Sequence, residues 1–362
     1  MHIEWAQLRN FRNYEALRFD PSPHLNVLSG ANAQGKSNLL EALGVLLVGR
    51  SFRAARVTEM PAWGAAEASL AGSLARGETA RTLRRDMTSR ENGSWVLSGE
   101  GCPWARAVPF SWLDLGVVAG GPASRRAFLD AFTAKLQPAH QAAAARYRQV
   151  VVRRNAILQA ADGRADRVGP LDAWDEQLAR LGVEILRRRL EAVAALAGHV
   201  AETFAALGGQ GRVRLEYVAH RDLTPDRDAF LQALGERRTD EVRRRQSLVG
   251  PHRDDVRVEI EGREARQFAS RGQQRLLALA LRLGEVAPVT AAVGSPPVLL
   301  MDDPLSELDG EVRARVLGRL EDAGQVFLTT AESSLPTEGA RWWEVKAGGV
   351  AALEMAAGRG GR

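Results

Sequence analysis

The chain has 362 residues, of which 45% are apolar and 26% charged, and its formal net charge is +5. This apolar fraction supports a sizeable core in one elaborated domain or two domains, and it excludes wholesale disorder. The single cysteine excludes an internal disulfide framework, and no N-terminal signal pattern or run of ~18 apolar residues stands out, so we expect a cytoplasmic protein without a membrane partner.

The first predicted elements surround a phosphate-binding loop. Residues 2–8 and 17–19 are predicted strands on either side of a polar turn. A short apolar strand then runs into G-x-x-x-x-G-K-S, and a leucine-rich helix leaves it, which is the setting that the loop requires. The residues predicted to bind nucleotide here are Gly30, Ala31, Asn32, Ala33, Gln34, Gly35, Lys36, Ser37 and Asn38.

The residue types of this loop suit a nucleoside triphosphate. Glycines let backbone N–H groups turn toward the phosphates, and the helix N-terminus adds partial positive charge. We expect Lys36 to reach the β- and γ-phosphates of ATP as part of the catalytic set, and the Ser37 hydroxyl to bind Mg²⁺. Only three of the 49 basic residues are lysines. One of the three, Lys36, stands at the position of the loop where a compact ammonium is needed.

The middle of the chain changes character. Short strand-like runs fill residues 66–112, with a hairpin turn at Asn92-Gly93. Residues 124–207 are rich in Ala, Leu and Arg with helical periodicity, and 171–207 form one long amphipathic helix or two abutting ones. The pattern predicts an α/β head at residues 1–122 and 247–362, interrupted by a helical arm domain at 123–246.

Strands return in the last third of the chain. The strand predicted at residues 297–301 is apolar and ends in Asp302 and Asp303. We expect Asp302 to hold Mg²⁺ beside Ser37, and Asp303 to act as the catalytic base that positions the attacking water. Two solvated carboxylates at a strand end are the alternative, which the buried character of the strand disfavours.

A second anion-binding pattern lies upstream of that strand. Residues 270–275 read S-R-G-Q-Q-R and open a strongly apolar helix. Ser270, Gly272 and Gln273 offer a hydroxyl and an unhindered backbone at a helix N-terminus. Because the phosphates already have one loop, we expect this segment to act in trans, on the ATP of a second copy. An ordinary helix cap is the alternative.

Taken in order, these motifs carry a family resemblance. The phosphate loop, helical insertion, S-x-G-Q-Q, apolar-D-D and S-E-L-D segments resemble the ABC-type ATPase heads of the SMC, Rad50 and RecF group. The segments at residues 118–130, containing G-P-A-S-R-R-A-F-L-D, and 250–255, G-P-H-R-D-D, are similar to two segments specific to the RecF family. L-R-N-F-R-N-Y at residues 8–14 matches as well. The resemblance covers residues from about 2 to 335.

The resemblance implies an ABC-type ATPase head, which is a split P-loop domain with an antiparallel β-subdomain, plus a mostly helical inserted domain. It implies a bacterial factor of DNA repair, recombination, replication and the SOS response. Such a factor binds double-stranded DNA and junctions with single strands, hydrolyses ATP weakly and pairs with ATP. RecO and RecR are the implied partners, and loading of RecA at gaps is the implied outcome. Arg12 and Asn32 are expected accessory nucleotide contacts.

Two positions depart from the wider ABC pattern. Transporter-type heads carry a histidine after the last core strand, where residues 326–331 offer threonines instead. Such heads also carry a glutamine after the early sheet, where this chain has Phe110-Ser111-Trp112. The sequence does not identify the residues that take over these two contacts. Asp303 replaces the glutamate of many relatives, and a shorter base fits slow turnover.

DNA contact is expected to be electrostatic and largely independent of base sequence, since no recognition-helix or finger signature is present. The eight tryptophans are scattered, which favours packing in the core or at an interface over base stacking. For any single arginine the alternative is a solvated helix face or an ion pair. The candidate phosphate contacts, taken collectively, are Arg53, Arg125, Arg126, Arg153, Arg154, Arg187, Arg188, Arg189, Arg243, Arg244 and Arg245.

Three other functions fit parts of the pattern. An ABC transporter subunit would need a docking surface for membrane partners and would usually keep the histidine. An SMC- or Rad50-like structural head demands hundreds of coiled-coil residues, where about 120 are available. A non-hydrolysing scaffold would use ATP only for shape, and an ATP turnover assay on Asp303→Asn distinguishes it from an enzyme.

Overall fold

The computed structural model describes residues 1–164 and 171–353, which form two compact units. The first unit contains residues 1–114, 206–208 and the described chain from 281 onward, and the second contains residues 115–164, 171–205 and 209–280. The strands are β1 (His2–Phe11), β2 (Tyr14–Phe19), β3 (Leu25–Ser29), β4 (Glu67–Arg76), β5 (Thr79–Ser89), β6 (Trp95–Ser98), β7 (Ala107–Phe110), β8 (Val213–Val218), β9 (Asp255–Ile260), β10 (Arg263–Glu264), β11 (Val298–Met301), β12 (Val326–Thr330), β13 (Arg341–Lys346) and β14 (Gly349–Leu353). The helices are α1 (Lys36–Val48), α2 (Leu115–Ala119), α3 (Pro122–Leu136), α4 (Ala139–Ala160), α5 (Leu171–Ala206), α6 (Arg227–Arg244), α7 (Ala265–Phe268), α8 (Arg271–Gly284), α9 (Val286–Val293) and α10 (Gly310–Glu321).

A six-stranded sheet in the first unit brings distant segments to one edge. Its order is β14-β13-β3-β12-β11-β7, and all neighbours are parallel except β13 and β14. β12 lies between β3 and β11, with Thr330 paired to Ser29 and Leu328 paired to Met301. Since parallel strands end at the same edge, the loop after β3 and the carboxylates after β11 meet there.

The first unit also contains a five-stranded antiparallel sheet, in the order β2-β1-β4-β5-β6. The predicted hairpin turn at Asn92-Gly93 is confirmed, with Gly93 at φ 74° between β5 and β6. The predicted turn at residues 9–14 is too long. β1 and β2 pair as far as Phe11 and Tyr14, because Arg12 takes a left-handed backbone conformation, φ 54°, that closes the turn in two residues.

Helix α1 is buried almost all round, which fixes the loop that precedes it. Nine of its 13 residues are buried, from Leu39 to Leu47. A helix that is apolar on every side is stable only inside a fold, and each buried leucine contributes roughly 1.5–3 kcal/mol. The same core holds side chains of both sheets, including Phe19 of β2 against Trp343 of β13, with ring centroids 4.8 Å apart.

The second unit is mostly helical, with a three-stranded antiparallel sheet in the order β10-β9-β8. α5 is one continuous helix of 36 residues, which decides between the two alternatives for that segment. Its Gly182 lies against the ring of Phe230, where a Cβ would approach to 2.5 Å. Tyr147, Leu178 and Phe230 belong to the core of this unit. The predicted head and arm boundaries stay a prediction.

The segment Arg271–Val293, which contains α8 and α9, is long and apolar enough by length and composition to cross a membrane. However, 61% of its most apolar window is buried inside the fold, as the core helix of a soluble protein also is. The segment is therefore weak support for a membrane span.

Candidate active site

The loop between β3 and α1 depends on two glycines. Gly30 has φ 145°, and a Cβ there would collide with the carbonyl oxygen of Val345. Gly35 has φ 116°, and a Cβ there would press on the Asn13 side chain at 2.6 Å. Both backbone conformations are ones that L side chains rarely adopt. The two glycines thus let the loop curl tightly ahead of the helix N-terminus, which is the form of a phosphate cradle.

Neighbouring segments hold the loop from outside. The Tyr14 hydroxyl donates to the carbonyl of Gly35 at 3.0 Å, and the Asn13 amide donates to the carbonyl of Gln34 at 3.2 Å. The backbone N–H of Ala347, in the turn between β13 and β14, donates to the Gln34 side chain at 2.9 Å. Carbonyl groups of the loop are therefore engaged by protein donors, which favours a preformed cradle.

Lys36 lies over its own loop. Its ammonium donates to the carbonyl oxygens of Gly30 at 2.5 Å and Ala31 at 2.8 Å. Burial lowers the pKa of the ammonium, and the negative charges of Asp303 and Asp302 partly oppose that shift. The cation is thus held on the carbonyls of the loop, where an anionic ligand in the cradle would meet it.

Ser37 and Asp302 meet as predicted from the sequence. The Ser37 hydroxyl donates to Oδ1 of Asp302 at 2.7 Å. The Asp302 backbone N–H in turn donates to the carbonyl of Phe110 at 2.9 Å, which anchors the end of β11 to β7. Within residues 1–164 and 171–353, three or more His, Cys, Asp or Glu side chains nowhere cluster as metal ligands. One hydroxyl and one carboxylate suit Mg²⁺, which usually completes its shell with water and substrate phosphates.

Asp303 is the second residue after β11 and is exposed. Its backbone adopts φ 51° and its N–H donates to Oγ1 of Thr329 at 2.9 Å. The Thr329 hydroxyl donates to Oδ1 of Asp302 at 2.9 Å. The sequence analysis noted threonines in this strand in place of the usual histidine, but it predicted no hydrogen-bond partner for either of them.

Arg12 pairs with a buried carboxylate of α1. Its guanidinium donates to both oxygens of Glu41, at 2.8 and 3.0 Å, and Glu41 is 0% exposed. Ser51 donates to the same carboxylate at 2.5 Å, and the Arg53 guanidinium lies 3.8 Å from it and donates to Asn38 at 3.1 Å. This cluster beside the loop brings together two residues predicted for different ligands, Arg12 and Arg53. Asn32 is exposed in the loop.

The segment at residues 270–273 is a capping box. The Ser270 hydroxyl accepts from the N–H of Gln273 at 3.2 Å, and the Gln273 side chain accepts from the N–H of Ser270 at 2.9 Å. Ser270 and Gly272 are exposed. The helix end is thus ordered by its own side chains while its surface is accessible, so a capping role and a role in trans are compatible.

Three of the predicted DNA-contacting arginines are wrong, because their side chains are buried. Arg125, Arg154 and Arg189 are 4%, 0% and 5% exposed. Each pairs with an acidic residue from elsewhere in the second unit. The shortest such distances for each are 2.7 Å from Arg125 to Asp255, 2.5 Å from Arg154 to Glu241, and 2.8 Å from Arg189 to Asp130.

The other candidates are accessible to different degrees. Arg126 and Arg188 are half-buried, and Arg126 donates to the carbonyl of Asp254 at 2.8 Å. Six are exposed, namely Arg53, Arg153, Arg187, Arg243, Arg244 and Arg245. Three of these six lie together at the end of α6. A polyanion could therefore reach only part of the predicted set.

Sequence reasoning missed several residues that order the site. Glu41, Thr329 and Asp114 are acidic or hydroxyl side chains that lie at or beside predicted functional segments. Asp114 accepts from the backbone N–H of Ser111 at 2.8 Å and from the Arg282 guanidinium at 2.5 Å. Each depends on a partner far along the chain, so only the strand register or a homologue alignment could have singled it out.

Comparisons with known proteins agree with this geometry. The model of the family described as "RecF/RecN/SMC N terminal domain" matches residues 2–349. The chain is 37% identical over 347 residues to "DNA replication and repair protein RecF" of Heliobacterium modesticaldum, covering 91% of this chain and 92% of that one. It is also 37% identical over 347 residues to the protein of the same name from a Synechococcus strain, covering 91% of both.

Solved structures give the same result. The structure titled "recombination mediator protein RecF-ATP in RecFOR pathway" superposes with a TM-score of 0.85 at 26% identity, covering 98% of both chains. An SMC head bound to the C-terminal winged-helix domain of ScpA superposes with a TM-score of 0.54 at 14% identity, covering 99% of this chain and 98% of the other. The second likeness concerns the fold alone.

Proposed function

This chain belongs to the RecF family, and we propose that it is an ATP-controlled DNA clamp of recombinational repair. Membership confirms the fold predicted from the sequence, an ABC-type ATPase head with additional helical content. The family names place the chain among DNA replication and repair proteins.

The observation that carries the proposal is the hydrogen bond of 2.7 Å between Ser37 and Asp302. It joins the phosphate cradle to the carboxylate edge of β11, as an NTP hydrolysis site requires. The Ser37 hydroxyl can give a lone pair to a cation while its O–H still donates to the Asp302 carboxylate. Mg²⁺, when bound there, supplies positive charge that offsets the charge of the phosphates.

We assign the remaining groups of the first unit by their positions. Residues 30–38 bind the phosphates of ATP, the Lys36 ammonium exchanges the loop carbonyls for phosphate oxygens, and Arg12 is an accessory contact beside Glu41. Asp303 follows Asp302 at the edge of the sheet and accepts a proton from the attacking water. An aspartate has one methylene less than glutamate, which fits weak, slow hydrolysis.

The second half of the site is proposed to come from another copy of the chain. Ser270, Gly272 and Gln273 stand at the N-terminus of α8, where Ser270 and Gly272 are exposed and Gln273 is half-buried, and a helix N-terminus suits an anion. In a twofold pair, each helix end would face the γ-phosphate held by the partner. ATP then stabilises the dimer by mass action, because it binds the closed pair best.

DNA contact is proposed to be electrostatic and centred on the exposed arginines of the arm, residues 123–246, rather than on all eleven candidates. Double-stranded DNA and junctions with single strands are the proposed substrates. Solved relatives are titled as mediators of the RecFOR pathway. We extend that context to this chain, with RecO and RecR as partners, RecA loading at gaps as the outcome and the cytoplasm as the compartment.

ATP turnover with and without gapped duplex DNA tests the enzymatic part. We expect slow wild-type hydrolysis that DNA accelerates, and a loss of about 10²-fold or more in Asp303→Asn with ATP binding retained. Asp20→Asn, at an exposed aspartate remote from the carboxylate edge, is the control with wild-type turnover. Equal turnover in wild type and Asp303→Asn would favour the non-hydrolysing scaffold.

A further inference from the structure

Thr329 makes two hydrogen bonds that converge on the proposed hydrolytic residues. Thr329 lies in β12 and is 2% exposed. Its hydroxyl donates to Oδ1 of Asp302 at 2.9 Å and accepts from the backbone N–H of Asp303 at 2.9 Å. The Oγ1 atom of Thr329 is therefore hydrogen-bonded both to Asp302, the proposed Mg²⁺ ligand, and to the backbone of Asp303, which is proposed to position the attacking water.

The register of the sheet explains why Thr329 stands there. Leu328 pairs with Met301, so the next residue of β12 lies beside the end of β11, where Asp302 begins. Ser37 reaches the same oxygen of Asp302 from the other side, at 2.7 Å. Two hydroxyl donors thus hold one carboxylate oxygen, which fixes the orientation of that side chain.

The second bond bears on Asp303. A residue with a Cβ is disfavoured at φ 51°, so this backbone conformation needs local support. The Thr329 hydroxyl accepts the N–H of Asp303 and supplies that support. The direction in which the Asp303 side chain leaves the strand therefore depends on a hydroxyl in the neighbouring strand.

We propose that Thr329 is a positioning residue of the ATPase site, which holds Asp302 and Asp303 in their working orientations through one hydroxyl. The inference rests on the proposed ATPase function and adds a residue that acts through Asp302 and Asp303. Groups that orient metal-binding carboxylates typically matter 10–100-fold in metal affinity or activity, and we expect Thr329 to fall in that range.

The test compares Thr329→Val, which keeps the shape and removes the hydroxyl, with Thr329→Ser, which keeps the hydroxyl. Thr290→Val is the matched control, because the Thr290 hydroxyl donates only to its own helix, to Val286 at 2.7 Å. For each variant we would measure kcat and KM for ATP, thermal unfolding without nucleotide, and the Mg²⁺ concentration needed for tight binding of a fluorescent ATP analogue, mant-ATP.

We expect Thr329→Val to lose about 10–100-fold in kcat and in apparent Mg²⁺ affinity, with a smaller change in KM and unaltered mant-ATP binding without Mg²⁺. Thr329→Ser should restore most of both, and Thr290→Val should match wild type. Wild-type kcat and Mg²⁺ affinity in Thr329→Val would overturn the inference. Equal losses in Thr329→Ser or in Thr290→Val would also overturn it, since they point to packing or general stability.

The inference and the proposed function can fail separately. If the wild-type chain shows no ATP turnover, the enzymatic proposal fails, and the Mg²⁺ dependence of mant-ATP binding still decides the role of Thr329. If wild type turns over ATP and Thr329→Val does so equally well with equal Mg²⁺ affinity, only the inference fails.

Discussion

The hydroxyl of Ser37 lies 2.7 Å from a carboxylate oxygen of Asp302, although 265 positions separate the two residues along the chain. The parallel order β3-β12-β11 produces this proximity, because the strands end at one edge of the sheet. The residues proposed to bind phosphate and the carboxylate proposed to bind Mg²⁺ therefore stand on elements that share one core, which also buries α1.

Replacing Lys36 with methionine should abolish ATP binding and, with it, ATP-dependent pairing. The substitution removes the ammonium that lies on the loop carbonyls of Gly30 and Ala31. Fluorescence titration with mant-ATP and light scattering measure the two effects. The same substitution at Lys346, which is exposed at the end of β13, should leave both unchanged. Wild-type ATP affinity in Lys36→Met would remove the lysine from the site.

Replacing Ser270 with arginine should leave ATP binding intact and block pairing. The larger side chain would fill the exposed N-terminus of α8, and loss of the capping box should also cost roughly 1 kcal/mol of stability. Mant-ATP titration and light scattering again measure binding and pairing. Ser94→Arg, in the exposed turn between β5 and β6, is the control for bulk and charge. An unaltered ATP-dependent dimer in Ser270→Arg would refute the role in trans.

The double substitution Arg243→Gln and Arg244→Gln should weaken duplex DNA binding without base preference. Both arginines are exposed in the last turn of α6. If each contacts a phosphate, the slope of log affinity against log salt should fall by about 2. Arg18→Gln with Arg84→Gln removes the same charge from exposed residues of the antiparallel sheet. A flat salt dependence in wild type, or an equal loss in the control pair, would contradict the arginine assignment.

Acid should destabilise the chain between about pH 6.5 and pH 4 through His252. Burial lowers the pKa of His252 to about 4, in a tautomer that accepts from Tyr147 at 2.7 Å and donates to the Ser247 carbonyl at 3.2 Å. The unfolded chain takes up the proton in this window and the folded chain does not, so stability falls as pH falls. The effect is on the order of 3 kcal/mol.

Denaturant unfolding at several pH values measures this dependence. His252→Gln should flatten the dependence over that window, because glutamine does not titrate. His199→Gln, at a histidine of α5 whose side chain is 43% exposed, should keep the wild-type slope. Identical pH dependence in wild type and His252→Gln would show that another group is responsible.

The sequence was most informative where local spacing and strand order decide the structure. The glycines and lysine of residues 30–37 predicted the loop, and the apolar run before Asp302 predicted its place beside Ser37. The partner of Thr329 could not be predicted, because it depends on the register between β11 and β12. The two-residue turn after β1 was missed, since nothing local announces the left-handed conformation of Arg12.

The arginines show where helical periodicity is insufficient. Arg154 lies in a helix whose composition suggests a solvated basic face, yet it is fully buried against Asp175, Glu241 and Ser247. Its acidic partners come from other helices, and only the tertiary fold brings them together. Trp63 is 102% exposed, so core packing does not account for it, and packing at an interface stays a prediction.

Light scattering of the 39.3 kDa chain tests the clamp most directly. Asp303→Asn, which should bind ATP without hydrolysing it, is measured with Mg²⁺ and ATP, with ADP, and without nucleotide, each in the presence and absence of gapped DNA. We predict a mass twice that of the chain with ATP alone, and a single chain in both other states without DNA. The account would be contradicted if the mass stayed that of a single chain with DNA present and with ATP well above the dissociation constant of ATP.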